Sequence, residues 1–293
     1  MRQVTRFINP RGQTVTFDGG PYVFEKVTGI GYGDVGLVTS APAGADGVTF
    51  GGCYLGDREI TQTISIEGGT RADMYAKKAA LMAALAQWVY RDGALGRFEH
   101  SYDGGATWVW IPAMVKRGPQ DPPRFGNFLK SDQLVFYCPS PYWRGKTYAR
   151  AQMAYLGGGF KFPVRFGAVR FGARGYQTQI WNYGDSPSHL EAEIAGPAIS
   201  PEIIKADTGE YIRLRDTMPL EEGDVLHIDT TPPSPRVTIT RADGTTEDAI
   251  GYIDLTSTFF MLAPGENKLV YTSGDDSQTT QIRLATLPWF GGR

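Results

Sequence analysis

Between Trp181 and Asn267, short apolar alternations are broken at regular intervals by Gly, Pro, Asp or Asn. An amphipathic helix needs a period of 3.6 sustained over ten or more residues, whereas a sandwich of short strands needs this punctuated alternation. The stretch therefore predicts an all-β domain over 179–293. Its expected strands are Tyr211–Leu214, Val225–Asp229, Arg236–Thr240, Leu255–Leu262, Lys268–Thr272 and Thr280–Thr286. Turns are expected at Asp207-Thr208-Gly209, Asp243-Gly244 and Pro264-Gly265.

The first half reads differently. Val4 to about Val27 predicts β-structure turning at Asn9-Pro10-Arg11-Gly12 and Asp18-Gly19-Gly20-Pro21. Residues 29–52, rich in Gly and small side chains, predict a long loop, and a second loop is expected over Arg117–Asn127. Glu59–Glu67 alternates as a half-buried strand. One helix is expected from Arg71 to Tyr90, with Thr70 as N-cap, Asp73 in its first turn and an apolar stripe of Met74, Leu81, Leu85 and Trp88. Strands at Gly96–Tyr102 and Thr107–Val115 flank the Asp103-Gly104-Gly105 hairpin turn, and Phe128–Tyr137 completes an α+β unit over 1–143. Between the halves, 144–178 reads as an extended basic arm in which Val164-Arg165-Phe166-Gly167-Ala168 is repeated as Val169-Arg170-Phe171-Gly172-Ala173.

Charge separates the halves. Residues 1–150 hold 17 basic and 13 acidic side chains, net +4, and 151–293 hold 12 and 18, net −6. No Asp or Glu occurs between Asp132 and Asp185. The whole chain is nearly neutral, which removes a global argument for nucleic acid. Two cysteines, Cys53 and Cys138, make no disulfide framework and suit a reducing cytoplasm, each as a small buried hydrophobe. The opening Met1–Phe7 lacks the apolar stretch of a signal peptide, and Ala79–Ala86 is far too short to span a bilayer.

Sequence motifs for chemistry are sparse. Gly31-Tyr32-Gly33-Asp34-Val35-Gly36 matches the dinucleotide fingerprint, but the following Leu37-Val38-Thr39-Ser40-Ala41-Pro42 cannot open a helix onto a pyrophosphate. His100, His189 and His227 lie far apart without metal-ligand spacing, and half-exposed strand positions are expected for His100 and His227. Asp229, Asp248 and Asp254 could be imagined as the carboxylate pair of a glycosidase, though turn and outward strand positions are the commoner reading. Trp108, Trp110, Trp143, Trp181 and Trp289 could stack sugars; Trp108 and Trp110 share a strand face, expected to be core. No catalytic residue, metal or cofactor is expected.

The order of several pieces resembles the siphophage distal tail protein (Dit) family. They are Phe7-Ile8-Asn9-Pro10-Arg11-Gly12, Pro141-Tyr142-Trp143, Asn182-Tyr183-Gly184-Asp185, Gly223-Asp224, Ile228-Asp229 and Phe259–Asn267. The resemblance implies a mainly β fold, with a galectin-like β-sandwich as its second domain. It implies a structural, non-enzymatic virion component at the distal end of a long tail, assembled in the host cytoplasm as a ring of six copies. Its partners would be the tail tube protein and the tail-associated hub protein, with host-surface carbohydrate as a further one. Genome DNA would pass through the channel without specific binding, and no membrane is involved. Long loops suit such an interface, so Asp121, Arg124 and Phe125 are candidate contacts. In the arm, Arg165 and Arg170 would meet an acidic neighbour while Phe166 and Phe171 pack onto it. A carbohydrate-binding adhesin and a glycoside hydrolase are the competing readings.

Overall fold

The computed structural model describes residues 3–41, 43–44, 46–86, 90–120, 123–153, 176–274 and 281–293. It divides into two compact units, Met1–Lys146 with Phe290–Arg293, and Thr147–Trp289. The fold is mainly β, with α1 as the one α-helix among the described residues.

The first unit contains Val4–Ile8 (β1), Thr14–Phe17 (β2), Tyr22–Thr28 (β3), Val35–Ser40 (β4), Thr49–Leu55 (β5) and Arg58–Glu67 (β6). Helix Arg71–Ala84 (α1) follows, then Gly96–Ser101 (β7), Val109–Arg117 (β8), Arg124–Phe125 (β9), Phe128–Cys138 (β10) and Trp143–Arg144 (β11). Seven strands pair in the order β2-β1-β7-β8-β10-β6-β3, with β9 added on β10 and β11 on β8. Alternation along them delivers Phe7, Phe98, Ile111, Phe136, Ile60 and Ile64 to one core, joined by Met74 and Leu81 of α1. Phe136 lies 4.9 Å, centroid to centroid, from both Phe7 and Phe98.

Helix α1 starts as the sequence predicts: Thr70 Oγ1 accepts the Asp73 amide at 3.1 Å. It ends at Ala84, before the expected Tyr90. The Ala84 carbonyl, which a longer helix would give to residue 88, accepts instead from Asn9 Nδ2 at 2.9 Å. The helix is also fastened by Tyr22, whose hydroxyl donates to the Lys77 carbonyl. Trp88 of the expected stripe lies outside the described residues.

The second unit contains Ala149–Met153 (β12), Tyr176–Asn182 (β13), Glu191–Ala195 (β14), Glu202–Lys205 (β15), Tyr211–Arg213 (β16), Val225–Asp229 (β17), Arg236–Thr240 (β18) and Thr246–Asp248 (β19). A 3-10 turn at Ile250–Tyr252 precedes Gly265–Thr272 (β20) and Gln281–Thr286 (β21), and Trp289–Phe290 (β22) leads back to the first unit. Its strands form two sheets, β12-β21-β14-β17-β18-β19 and β13-β20-β15-β16. Ile194, Leu226, Ile239 and Leu284 of one meet Ile180, Ile203, Leu269 and Tyr271 of the other in a single core.

Several expectations change. Leu255–Leu262 forms no strand: Asp254 Oδ1 accepts the Thr256 amide at 2.8 Å, a local bond that competes with the ladder, and the stretch bonds back only at separate points, the Thr258 amide to the Tyr211 carbonyl and Leu262 in a bridge to Ser188. The stretch 144–178 supplies β12 at its start and the first residues of β13 at its end, both paired into the second unit's sheets. His100 is fully buried, because its alternation partner is Phe98 on the core face.

Candidate assembly surface

The expected loop 29–52 is a β-ribbon. β4 and β5 pair from Val35↔Leu55 to Ser40↔Thr49, with a bulge after Val38, and among the described residues they pair with no other strand. Neither strand carries a charge; their sequences are Val-Gly-Leu-Val-Thr-Ser and Thr-Phe-Gly-Gly-Cys-Tyr-Leu. Leu37, Phe50 and Tyr54 remain 64%, 63% and 62% exposed. Tyr54 lies across Gly36, where a Cβ would come within 2.5 Å of the ring, so aromatic cover substitutes for a missing side chain. An isolated two-stranded ribbon is marginal in water, and uncharged edges with unpaired amides invite a further strand.

The ribbon's base is held firmly. Arg58, 4% exposed, donates from Nη1 to the carbonyls of Gly29, Ile30 and Gly31 (3.2, 3.3 and 2.5 Å) and from Nη2 to that of Gly291 at 2.7 Å. The Ile30 carbonyl also accepts from Trp143 Nε1 at 3.2 Å and from the Arg293 amide at 2.8 Å. A Cβ on Gly292 would stand 2.6 Å from the Tyr32 amide nitrogen. The glycines of the dinucleotide look-alike thus receive an arginine and the returning segment 290–293. Burial lowers the Arg58 pKa, and desolvation pushes the neighbouring Cys138 thiol up to about 12. Cys53, expected buried, is exposed on β5.

Of the sequence-derived contacts, Arg124 and Phe125 form β9, whose pairing with Phe128 and Leu129 makes a tight hairpin around Gly126 at φ +59°. Both side chains are exposed, Phe125 at 64%. Asp121, Arg165, Phe166, Arg170 and Phe171 lie outside the described residues.

The candidates for chemistry are engaged elsewhere. Asp229 accepts from the Thr231 amide and hydroxyl, Asp248 from the Ile250 amide, and Asp254 from Thr256 and Arg213. Trp143 and Trp289 are fully buried. Trp108 and Trp110 point away from the core they were expected to join, since Val109 and Ile111 between and beyond them face inward. Trp181 and Tyr183 are exposed on the second unit, 6.2 Å apart with planes 39° from parallel. Among the described residues no three His, Cys, Asp or Glu side chains gather as a metal site, and no helix is long and apolar enough to cross a membrane.

Residues 184–284 match the family model of the siphovirus-type tail component, C-terminal domain. The second of the two β-rich units is thus similar to the C-terminal domain of siphovirus-type tail components. The fold of the chain is similar to that of a distal tail protein: the crystal structure of phage SPP1 Dit, described as a paradigm of hub adsorption apparatus in Gram-positive infecting phages, aligns with a TM-score of 0.68. That alignment covers 99% of this chain and 100% of that one at 15% identity. The phage P2 baseplate in its activated conformation with Ca aligns at 0.54 and 10% identity, over 97% and 98% of the two chains. The same baseplate with Sr gives 0.53 at the same identity and coverage. No curated protein sequence matches the chain.

Proposed function

We propose that the chain is a ring-forming hub at the distal end of a phage tail, with the β4–β5 ribbon as its intersubunit arm. The ring joins the tail tube to the host-recognition apparatus, six copies being the number that the Dit resemblance implies. The observation that carries the reading is the uncharged, exposed ribbon on a firmly held base, within a Dit fold. Repeated around an axis, a ribbon that adds to the sheet of the next copy gives a heterologous contact that closes. The second unit, read as a galectin-like sandwich, decorates the outside and performs no catalysis; neighbours are the tail tube and tail-associated hub proteins.

Cys53 provides the test. It should alkylate readily in the free chain and be protected in purified tails, whereas Cys138 reacts only after unfolding. Equal labelling of Cys53 in free chain and particle overturns the arm, and a subunit count of one per tail overturns the ring. A second reading, saccharide binding, draws on exposed Trp181 and Tyr183, though their 39° tilt departs from the flat platform a sugar ring stacks on. Glycan-array binding abolished by Trp181→Ala would favour it.

A further inference from the structure

The outward face of the first unit's sheet carries a layer that neither the core nor the ribbon explains. Phe7, Phe98 and Ile111 face the core, so Arg6, Arg97, Glu99 and Trp110 point the other way. The strand registers align Thr16, Arg6, Glu99, Trp110 and Arg144 in one row across β2, β1, β7, β8 and β11. The Arg6 guanidinium stands 4.1 Å from the Trp108 ring centroid, and Lys146 Nζ stands 5.6 Å from the same ring. Arg144 and Arg97 stand 5.0 and 5.6 Å from the Trp110 centroid. Beneath them Glu99, 1% exposed, accepts from Arg6 Nε at 2.5 Å and Lys146 Nζ at 2.8 Å. The layer is thus four cations and two indoles around one covered carboxylate.

We infer that this cation–tryptophan layer docks the acidic second unit of another copy of the chain; the inference rests on the ring reading and adds a second contact to it. Charge complementarity is the argument. The first unit holds 17 basic and 13 acidic residues, net +4; Thr147–Trp289 holds 12 and 18, net −6. Glu193, Glu221, Glu222 and Asp248 are among the second unit's exposed carboxylates. Guanidinium groups already seated on indole faces lose little freedom on meeting a carboxylate, and their planar forks suit it. The same seating covers the ring faces on which a nucleobase would have to stack, which favours an acidic protein surface over nucleic acid.

Sedimentation of the full chain tests this. Raising salt from about 50 to about 500 mM, which shortens the screening length to a few ångströms, should weaken wild-type self-association at least tenfold. Arg97→Glu with Arg144→Gln leaves the Arg6–Glu99–Lys146 cluster intact and should cost a similar factor at low salt, flattening the salt dependence. Arg236→Glu with Lys268→Gln makes the same charge change on the second unit and should not weaken association. If the first double variant melts early, exposed Arg97→Glu alone decides, in the same direction. A wild type monomeric at low salt, a variant that associates like wild type, or a control that loses as much overturns the docking. The ring reading fails separately, by the subunit count in particles.

Discussion

His100 is buried in the first unit, its two ring nitrogens without hydrogen-bond partners among the described residues and its ring 4.2 Å from that of Tyr102. Burial holds its pKa down to about 4, against 6.5 for an ordinary histidine. Between those values the unfolded chain takes up a proton that the folded chain refuses. Stability is therefore full above pH 6.5 and falls as pH drops toward 4, by on the order of 2–3 kcal/mol from this group. Urea melts of wild type across that range should show the loss, and His100→Leu should flatten it; an unchanged slope would mean another group is responsible. The residues behind the family resemblance were legible because each makes at least one bond to backbone within four residues, alongside longer-range ones. Asn182 accepts the Gly184 amide and donates to the Ser186 and Leu262 carbonyls; Asn267 bridges Ala263 and Gly265; Asp224 accepts the Glu221 and Ala242 amides. Gly184 has no room for a Cβ, which would stand 2.1 Å from the Trp289 carbonyl oxygen. Gly184→Ala should lower stability by more than about 2 kcal/mol in a thermal melt. The burial of His100 depends on strands far apart in sequence, so nothing next to it announced it.

At the scale of elements, the alternating strands and the N-cap of α1 could be read directly, while the β4–β5 ribbon could not. Its glycines at 36, 51 and 52 interrupt the pattern, and its bulge after Val38 shifts the phase. The reverse error befell Leu255–Leu262, whose composition suits a strand but whose Asp254 turn bends the backbone away from the ladder. The ribbon contributes little to the first core, so Leu37→Asp with Phe50→Asp should leave the melting temperature within a few degrees of wild type. The same pair should abolish ring formation, seen by electron microscopy of tails complemented with the variant. Normal rings from that variant would remove the ribbon from the interface.

Across the whole molecule, the charge asymmetry was visible in the sequence, but the return of Phe290–Arg293 to the first unit was not. That return joins residues 233 positions apart through the Arg58–Gly291 bond. Ending the chain at Trp289 removes the Nη2 acceptor of buried Arg58 and should destabilise the first unit by about 2–3 kcal/mol, the range for a lost hydrogen bond to a charged group. Arg58→Met should cost less in that shortened background than in the full chain, a coupling of about 1 kcal/mol or more in a double-mutant cycle. Simple additivity would show that the clamp is not shared. Domains made first during synthesis generally fold first. Here the clamp beneath the sticky arm closes only after every residue of the second unit has been translated. A ribosome that stops early releases a ribbon whose base lacks the Gly291 acceptor, so on the ring reading proposed above the order of translation itself keeps such copies out of assembly.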